Sequence, residues 1–152
     1  MNETLCTALQ KIKHYCAYQE RCHAEVRSKL YSLGLHKNEV EQLLAQLIEE
    51  NLLNEERFAF AYAGGKFRMK QWGKQKIKYA LQQKQVSDYC IRKALLSIPT
   101  SDYNKTFAAV AGKKMATLKS EKNIFIKKKK IKDFLQQKGF ELKLVNNYVN
   151  QM

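Results

Sequence analysis

The stretch LNEERFAFAYAGGKFRMKQWGKQKIKYALQQKQV, residues 53–86, decides the fold. The Asn54 side chain can accept hydrogen bonds from the free N–H groups of a first helical turn, and Glu55 and Glu56 set negative charge against the positive end of its dipole. An aromatic and alanine run follows, then Lys66, Arg68, Lys70, Lys74, Lys76 and Lys78, with the only Trp, Trp72, among them. Inside that basic segment Ile77, Ala80 and Leu81 keep helical apolar spacing. One side therefore packs while the other stays strongly positive. Gly64-Gly65 falls inside the first helix at about 1 kcal/mol per Gly relative to Ala. The helix either bends there or receives another backbone at close range.

Outward from this stretch the same pattern recurs. Val26, Leu30, Leu35, Val40, Leu44 and Leu47 match Ile77, Leu81, Val86, Ile91, Leu95 and Ile98 after a shift of 51. A further shift of 54 carries five of these onto Ile131, Leu135, Phe140, Val145 and Val149. The turns YSLGL (31–35), QQKQV (82–86) and QQKGF (136–140) correspond, with Gly34 and Gly139 at the place where a left-handed residue ends a helix, and Gln85 between them. Each copy reads as three short helices: 4–17, 23–33 and 38–50; then 55–70, 74–84 and 88–97; then 102–119, 127–138 and 141–150. Asn38 with Glu41, Ser87 and Ser101 are the expected caps. Such units bury little alone and stack on their neighbours. The expected fold is all-α, an elongated row of three tandem three-helix repeats at 1–53, 54–98 and 99–152.

Charge separates the repeats. Of a net +14, residues 1–53 carry six Lys/Arg against seven Asp/Glu, 54–98 ten against three, and 99–152 twelve against four. A near-neutral repeat followed by two basic ones points to a polyanion held by the later part. In the second helix of each repeat, His23, Glu25 and Arg27 become Lys74, Lys76 and Lys78, then Lys128, Lys130 and Lys132. Recurrence at the repeat spacing suits a long polyanion or a filament. The bland reading is a solvated lysine face. Trp72 is read as a packing residue before a base-stacking one, and Phe58, Phe60 and Tyr62 as core.

Other functions find little support. Asp88, Asp102 and Asp133 have no acidic neighbour within four residues, and no phosphate-loop, dinucleotide or nucleophile-elbow motif occurs. Cys6, Cys16, Cys22 and Cys90 lack the paired spacing of zinc modules. No catalytic residue, metal or cofactor is expected. No apolar window reaches membrane-spanning length, and MNETLCTALQ lacks the basic and apolar regions of a secretion signal, so the expectation is a cytoplasmic protein without a membrane partner.

These residues resemble the RecX family of regulators of the RecA recombinase. YCAYQERCHAEVRSKLYSLGL (15–35) is similar to its opening block. Leu53, Asn54, Arg57, Phe58, Ala59, Gly73, Lys76, Ile77 and Leu81 match its Leu-(Asp/Asn)-acidic-x-Arg-Phe-Ala and Gly-x-x-(Arg/Lys)-Ile-x-x-x-Leu motifs. Cys22 stands where Ser is usual and Gln85 where Gly is usual. The resemblance implies a negative regulator of recombination and SOS repair that binds the groove of the RecA–DNA filament and inhibits ATPase and strand exchange. It implies RecA and single- and double-stranded DNA as partners; a monomer is expected. Its basic motif falls on Arg57 and Lys76 and, more loosely, on Lys66, Arg68 and Lys84. Lys70, Lys74, Lys78, Lys128, Lys130 and Lys132 come from the charge pattern. The alternative is a DNA-binding protein of helix-turn-helix type, sequence-reading or not.

Overall fold

The computed structural model describes residues 2–152. Among them the chain forms helices only: α1 (Glu3–Tyr18), α2 (His23–Ser32), α3 (Lys37–Glu49), α4 (Glu55–Lys70), α5 (Lys74–Gln83), α6 (Asp88–Leu96), α7 (Thr100–Thr117), α8 (Ile124–Gln137) and α9 (Leu142–Asn150). The helices form two compact units. The first holds Met1–Tyr62 and Leu81–Lys93, the second Ala63–Ala80 and Ala94–Met152, so α4, α5 and α6 each supply residues to both.

The repeat is a repeat of turns as much as of helices. Gly34, Gln85 and Gly139 all have positive φ, at 89°, 62° and 96°. Immediately after each comes a buried apolar residue whose N–H reaches back five places: Leu35 to Leu30 O (3.4 Å), Val86 to Leu81 O (3.1 Å) and Phe140 to Leu135 O (3.2 Å). This is the Schellman closure, which satisfies a carbonyl left over at the helix end. Gln85 adopts the left-handed conformation despite its Cβ, because the same closing bond and the same buried apolar residue follow it. Val26, Ile77 and Ile131 are wholly buried, as are Leu30, Leu81 and Leu135.

The first unit packs α1, α2 and α3 around an aliphatic core that includes Leu5, Ile12, Val26, Leu30, Leu43, Leu47 and Leu53. Asn2 caps α1 by accepting from Leu5 N–H (2.8 Å). Asn54 caps α4 as expected, accepting from Arg57 N–H (2.9 Å), and Ser87 accepts from Cys90 N–H (3.3 Å) at α6. The expected box of Asn38 with Glu41 is displaced. α3 starts earlier, with His36 at the cap and the Glu39 carboxylate accepting its N–H (3.0 Å). That frees Glu41 for Arg27, which it meets at 2.9 Å.

The second unit has an aromatic core. Ring centroids run from Phe67 to Tyr103 (5.9 Å), Tyr103 to Phe140 (5.6 Å), Phe140 to Phe107 (5.1 Å) and Phe107 to Tyr148 (5.8 Å), the last two edge to face. Two helix starts differ from expectation. α7 begins at Thr100 behind Pro99 rather than after Ser101, since proline's fixed φ suits a helix entrance. α8 begins at Ile124 rather than Lys127, because the Asn123 side chain accepts from Phe125 N–H (3.0 Å) and Ile126 N–H (3.3 Å). Phe58 is buried and Tyr62 half-buried, but Phe60, expected in the core, is exposed. It lies two residues from Phe58 on the helix, which turns it away from the buried side.

Candidate nucleic-acid interface

The site begins with a tight joint inside the second unit. Gly73 opens α5, and its N–H donates to Lys138 O (2.7 Å) in the α8–α9 turn. The next two N–H groups are also taken: Lys74 by the Tyr103 hydroxyl (3.0 Å) and Gln75 by Gly139 O (2.9 Å). Tyr103 in turn donates to the Glu141 carboxylate. Burial and then this bond to Glu141 push the Tyr103 hydroxyl far above the usual phenol range. A Cβ on Gly73 would collide with the backbone of Gly139 and Phe140, and one on Gly139 with Lys76. Close backbone approach therefore occurs at Gly73. At Gly64 a Cβ would meet only the Arg68 side chain, and at Gly65 nothing. α4 runs unbroken past both.

This joint sets where the basic side chains go. Because the start of α5 is capped from within the unit, the N–H groups of Gly73, Lys74 and Gln75 are already taken. The Lys138 ammonium donates to Lys70 O (3.0 Å) at the end of α4. There it satisfies a leftover carbonyl and opposes the negative end of the dipole. The three-residue turn between α4 and α5 then brings Lys66 and Lys76 to Trp72, their ammonium nitrogens 5.0 and 4.7 Å from the indole centroid. Trp72 is half-buried and serves as the platform on which two cations converge. Lys70 lies one turn beyond Lys66, exposed.

The alternate lysines of α5 do not share one face. Residues four apart are neighbours on a helix, and residues two apart lie on different sides. Lys74 and Lys78 hence make one row, with Lys74 4.9 Å from the Tyr103 ring, while Lys76 turns to Trp72. In α8, Lys128 and Lys132 pair in the same manner and Lys130 turns to Glu121 (3.7 Å). Arg68 curls back over Gly64 on a further side of α4.

Two of the expected site residues belong to the first unit. The Arg57 guanidinium is engaged there: its Nε bridges both Glu20 oxygens (2.7 and 2.8 Å), and its Nη atoms donate to Asn51 O (3.1 Å) and Oδ1 (3.3 Å). This ties the start of α4 to the ends of α1 and α3. The Lys84 ammonium lies 5.8 Å from the Tyr62 ring. Glu20 sits thirty-seven residues from Arg57, and no local pattern announces that pair. Among the described residues, no three His, Cys, Asp or Glu come together to hold a metal. No helix there is long and apolar enough to cross a membrane.

Fold and site together define an all-helical repeat protein whose positive charge is concentrated in its second unit. Comparison with known proteins is specific. The second three-helix domain of RecX matches residues 54–95 and the third matches 101–149. A regulatory protein RecX from Chlorobaculum tepidum is 30% identical over 143 residues, covering 94% of this chain and 86% of that protein. One from Clostridium perfringens (strain 13) is 35% identical over 129 residues, and the match spans 60% of its length. The crystal structure of RecX from Lactobacillus salivarius superposes with a TM-score of 0.87 over 99% of this chain and 97% of that one; at 24% identity this is a likeness of fold. The chain belongs to the RecX family, and its matched relatives are named regulatory proteins.

Proposed function

We propose that this chain is a non-enzymatic negative regulator of homologous recombination that lies in the groove of the RecA–DNA filament and inhibits RecA's ATPase and strand exchange. One observation supports this reading above the others. The second unit carries eighteen Lys/Arg against four Asp/Glu, and three of those acids are already engaged, Asp133 by Lys129, Glu121 by Lys130 and Glu141 by the Tyr103 hydroxyl. A field of that strength draws a polyanion and holds it by phosphate neutralisation. Lys66, Lys70, Lys74, Lys76, Lys78, Lys128 and Lys132 are the contacts proposed for DNA phosphates or acidic RecA surfaces. Arg57 holds the first unit together and acts through it. A monomer in the cytoplasm, without cofactor, completes the reading.

The test is RecA ATPase on single-stranded DNA with the chain titrated in. ATPase should fall with dose, and Lys74→Glu, Lys76→Glu and Lys78→Glu together should abolish the fall while helical content stays unchanged. Undiminished ATPase at saturating wild-type chain would sink the proposal. A preference among duplex sequences of about 1–3 kcal/mol per base pair would instead favour a sequence-reading repressor.

A further inference from the structure

The first unit has ten Lys/Arg against ten Asp/Glu, yet one cleft on it has no carboxylate in its walls. The cleft has a volume of about 440 Å3. Lys11, His14, Tyr15 and Tyr18, at helical spacing along one side of α1, form one wall; Arg21 and Lys29 close it. Its centre is a stack. The Arg21 guanidinium carbon lies 3.7 Å from the Tyr15 ring centroid and 5.9 Å from that of Tyr18, and the Lys29 ammonium is 5.6 Å from Tyr15. Arg21 is fixed there because its Nε donates to Tyr15 O (3.1 Å). Tyr18 is 78% exposed beside it, its ring open to solvent in the same cleft that Lys11, Arg21 and Lys29 line.

We infer that this cleft takes one nucleotide of a single-stranded nucleic acid, its base stacked on Tyr18 and its phosphate held by Lys11, Arg21 and Lys29. A volume of this size is in the range of small-ligand sites. The guanidinium fork matches phosphate oxygens, and its use of Nε alone for Tyr15 leaves the Nη edge for them. Stacking on an exposed ring requires a base free of its partner, which a duplex does not offer. An acidic peptide would satisfy the cations but has no use for the ring. The cleft lies in the other unit from the basic surface around Trp72 and does not depend on the regulator reading.

The experiment uses the full chain without RecA, with a fluorescently labelled oligothymidylate and a duplex of equal length read by anisotropy. Tyr18→Ala, at an exposed position, should lower single-strand affinity about tenfold, as loss of one stacked base does. Duplex affinity should change less than twofold, and Tyr18→Phe should retain single-strand binding. Lys11→Gln with Lys29→Gln should reduce the salt slope on the single strand by about 0.7, the share of the one phosphate they hold with Arg21. A 5-iodouracil oligonucleotide should crosslink to Tyr15 or Tyr18. Equal losses on both nucleic acids, no loss on either, or displacement of the crosslink by polyglutamate at matching concentration would overturn the inference. A Tyr18 crosslink that survives Lys74→Glu with Lys78→Glu, while RecA inhibition is lost, separates this site from the proposed filament surface.

Discussion

The two units use one helical pattern and fill equivalent places with opposite chemistry. At the start of the second helix of a repeat, the first unit has Cys22 and Glu25 where the second has Gly73 and Lys76. Glu25 caps its own helix by accepting from Cys22 N–H (3.1 Å), whereas α5 is capped by the α8–α9 turn, and Lys76 is left to reach Trp72. At the end of the first helix, Tyr15 and Arg21 stand where the second repeat has Lys66 and Trp72. Each pair puts a cation over a ring, at 3.7 and 5.0 Å, with ring and cation exchanged. The first unit also spends its charges internally, in Lys13–Glu50, Arg27–Glu41, Arg57–Glu20 and Lys93–Glu56. The lesson is that one scaffold becomes neutral or strongly basic according to whether acids are placed within reach of its cations.

The contrast can be broken most forcefully at its tightest point. Gly73→Ala drives a methyl group into the Gly139 carbonyl and should cost more than about 3 kcal/mol. Cys22→Ala at the equivalent place should cost about 1 kcal/mol, the loss of one buried sulfur. Urea unfolding followed by Trp72 fluorescence and helical signal measures both; equal costs would dissolve the difference.

Alkali is expected to act next. Burial pushes the Cys22 thiol up to about 11, and Tyr103 is also raised. Both groups are neutral when folded. Above about pH 9 the unfolded chain binds fewer protons than the folded one, so stability falls as pH rises. Cys22 accounts for on the order of 2 kcal/mol of that fall. Cys22→Ala should remove this part and leave the part due to Tyr103 in the second unit. A flat stability profile from pH 8 to 11 would contradict the assignment.

Charge neutralisation sharpens the comparison from the side of binding. Lys66→Gln, Lys70→Gln and Lys76→Gln together should reduce the log–log salt slope on duplex DNA by about 0.9 for each phosphate no longer neutralised. Lys13→Gln, Arg27→Gln and Lys93→Gln, taken from paired positions, should leave the slope unchanged. The smallest expected effect lies in the shared turn. Gln85→Gly relieves a left-handed Cβ and should stabilise the chain by about 1 kcal/mol, while Gly34→Ala should cost about as much. Thermal melts of the two variants check opposite signs at equivalent residues.

Much of this was legible before any coordinates. The apolar phase of Val26-Leu30-Leu35 and its two copies announced nine helices and the repeat, and the left-handed place of Gln85 followed from its alignment with Gly34 and Gly139. The segregation of charge was also plain. The basic side chains were legible in composition but not in arrangement. Lys74, Lys76 and Lys78 read as one stripe, yet Lys74 and Lys78 form a row while Lys76 goes to Trp72. Arg57 read as a residue for a partner, and Glu20 engages it. The aromatic cleft of Tyr15, Tyr18 and Arg21 was missed because the charge sum of its repeat is close to zero. Its signal was the spacing of Lys11, His14, Tyr15 and Tyr18 on one side of α1.

By itself the sequence determined what depends on neighbours along the chain: helix period, end signals, turn closure, the repeat and the total charge of each part. Those follow from propensity and spacing within a few residues. Only the tertiary structure decided that Gly73 abuts Gly139, that Glu20 takes Arg57, and that Lys66 and Lys76 share Trp72. Such meetings depend on how helices far apart in the chain pack, and packing distances, unlike periodicity, are not written in any single segment.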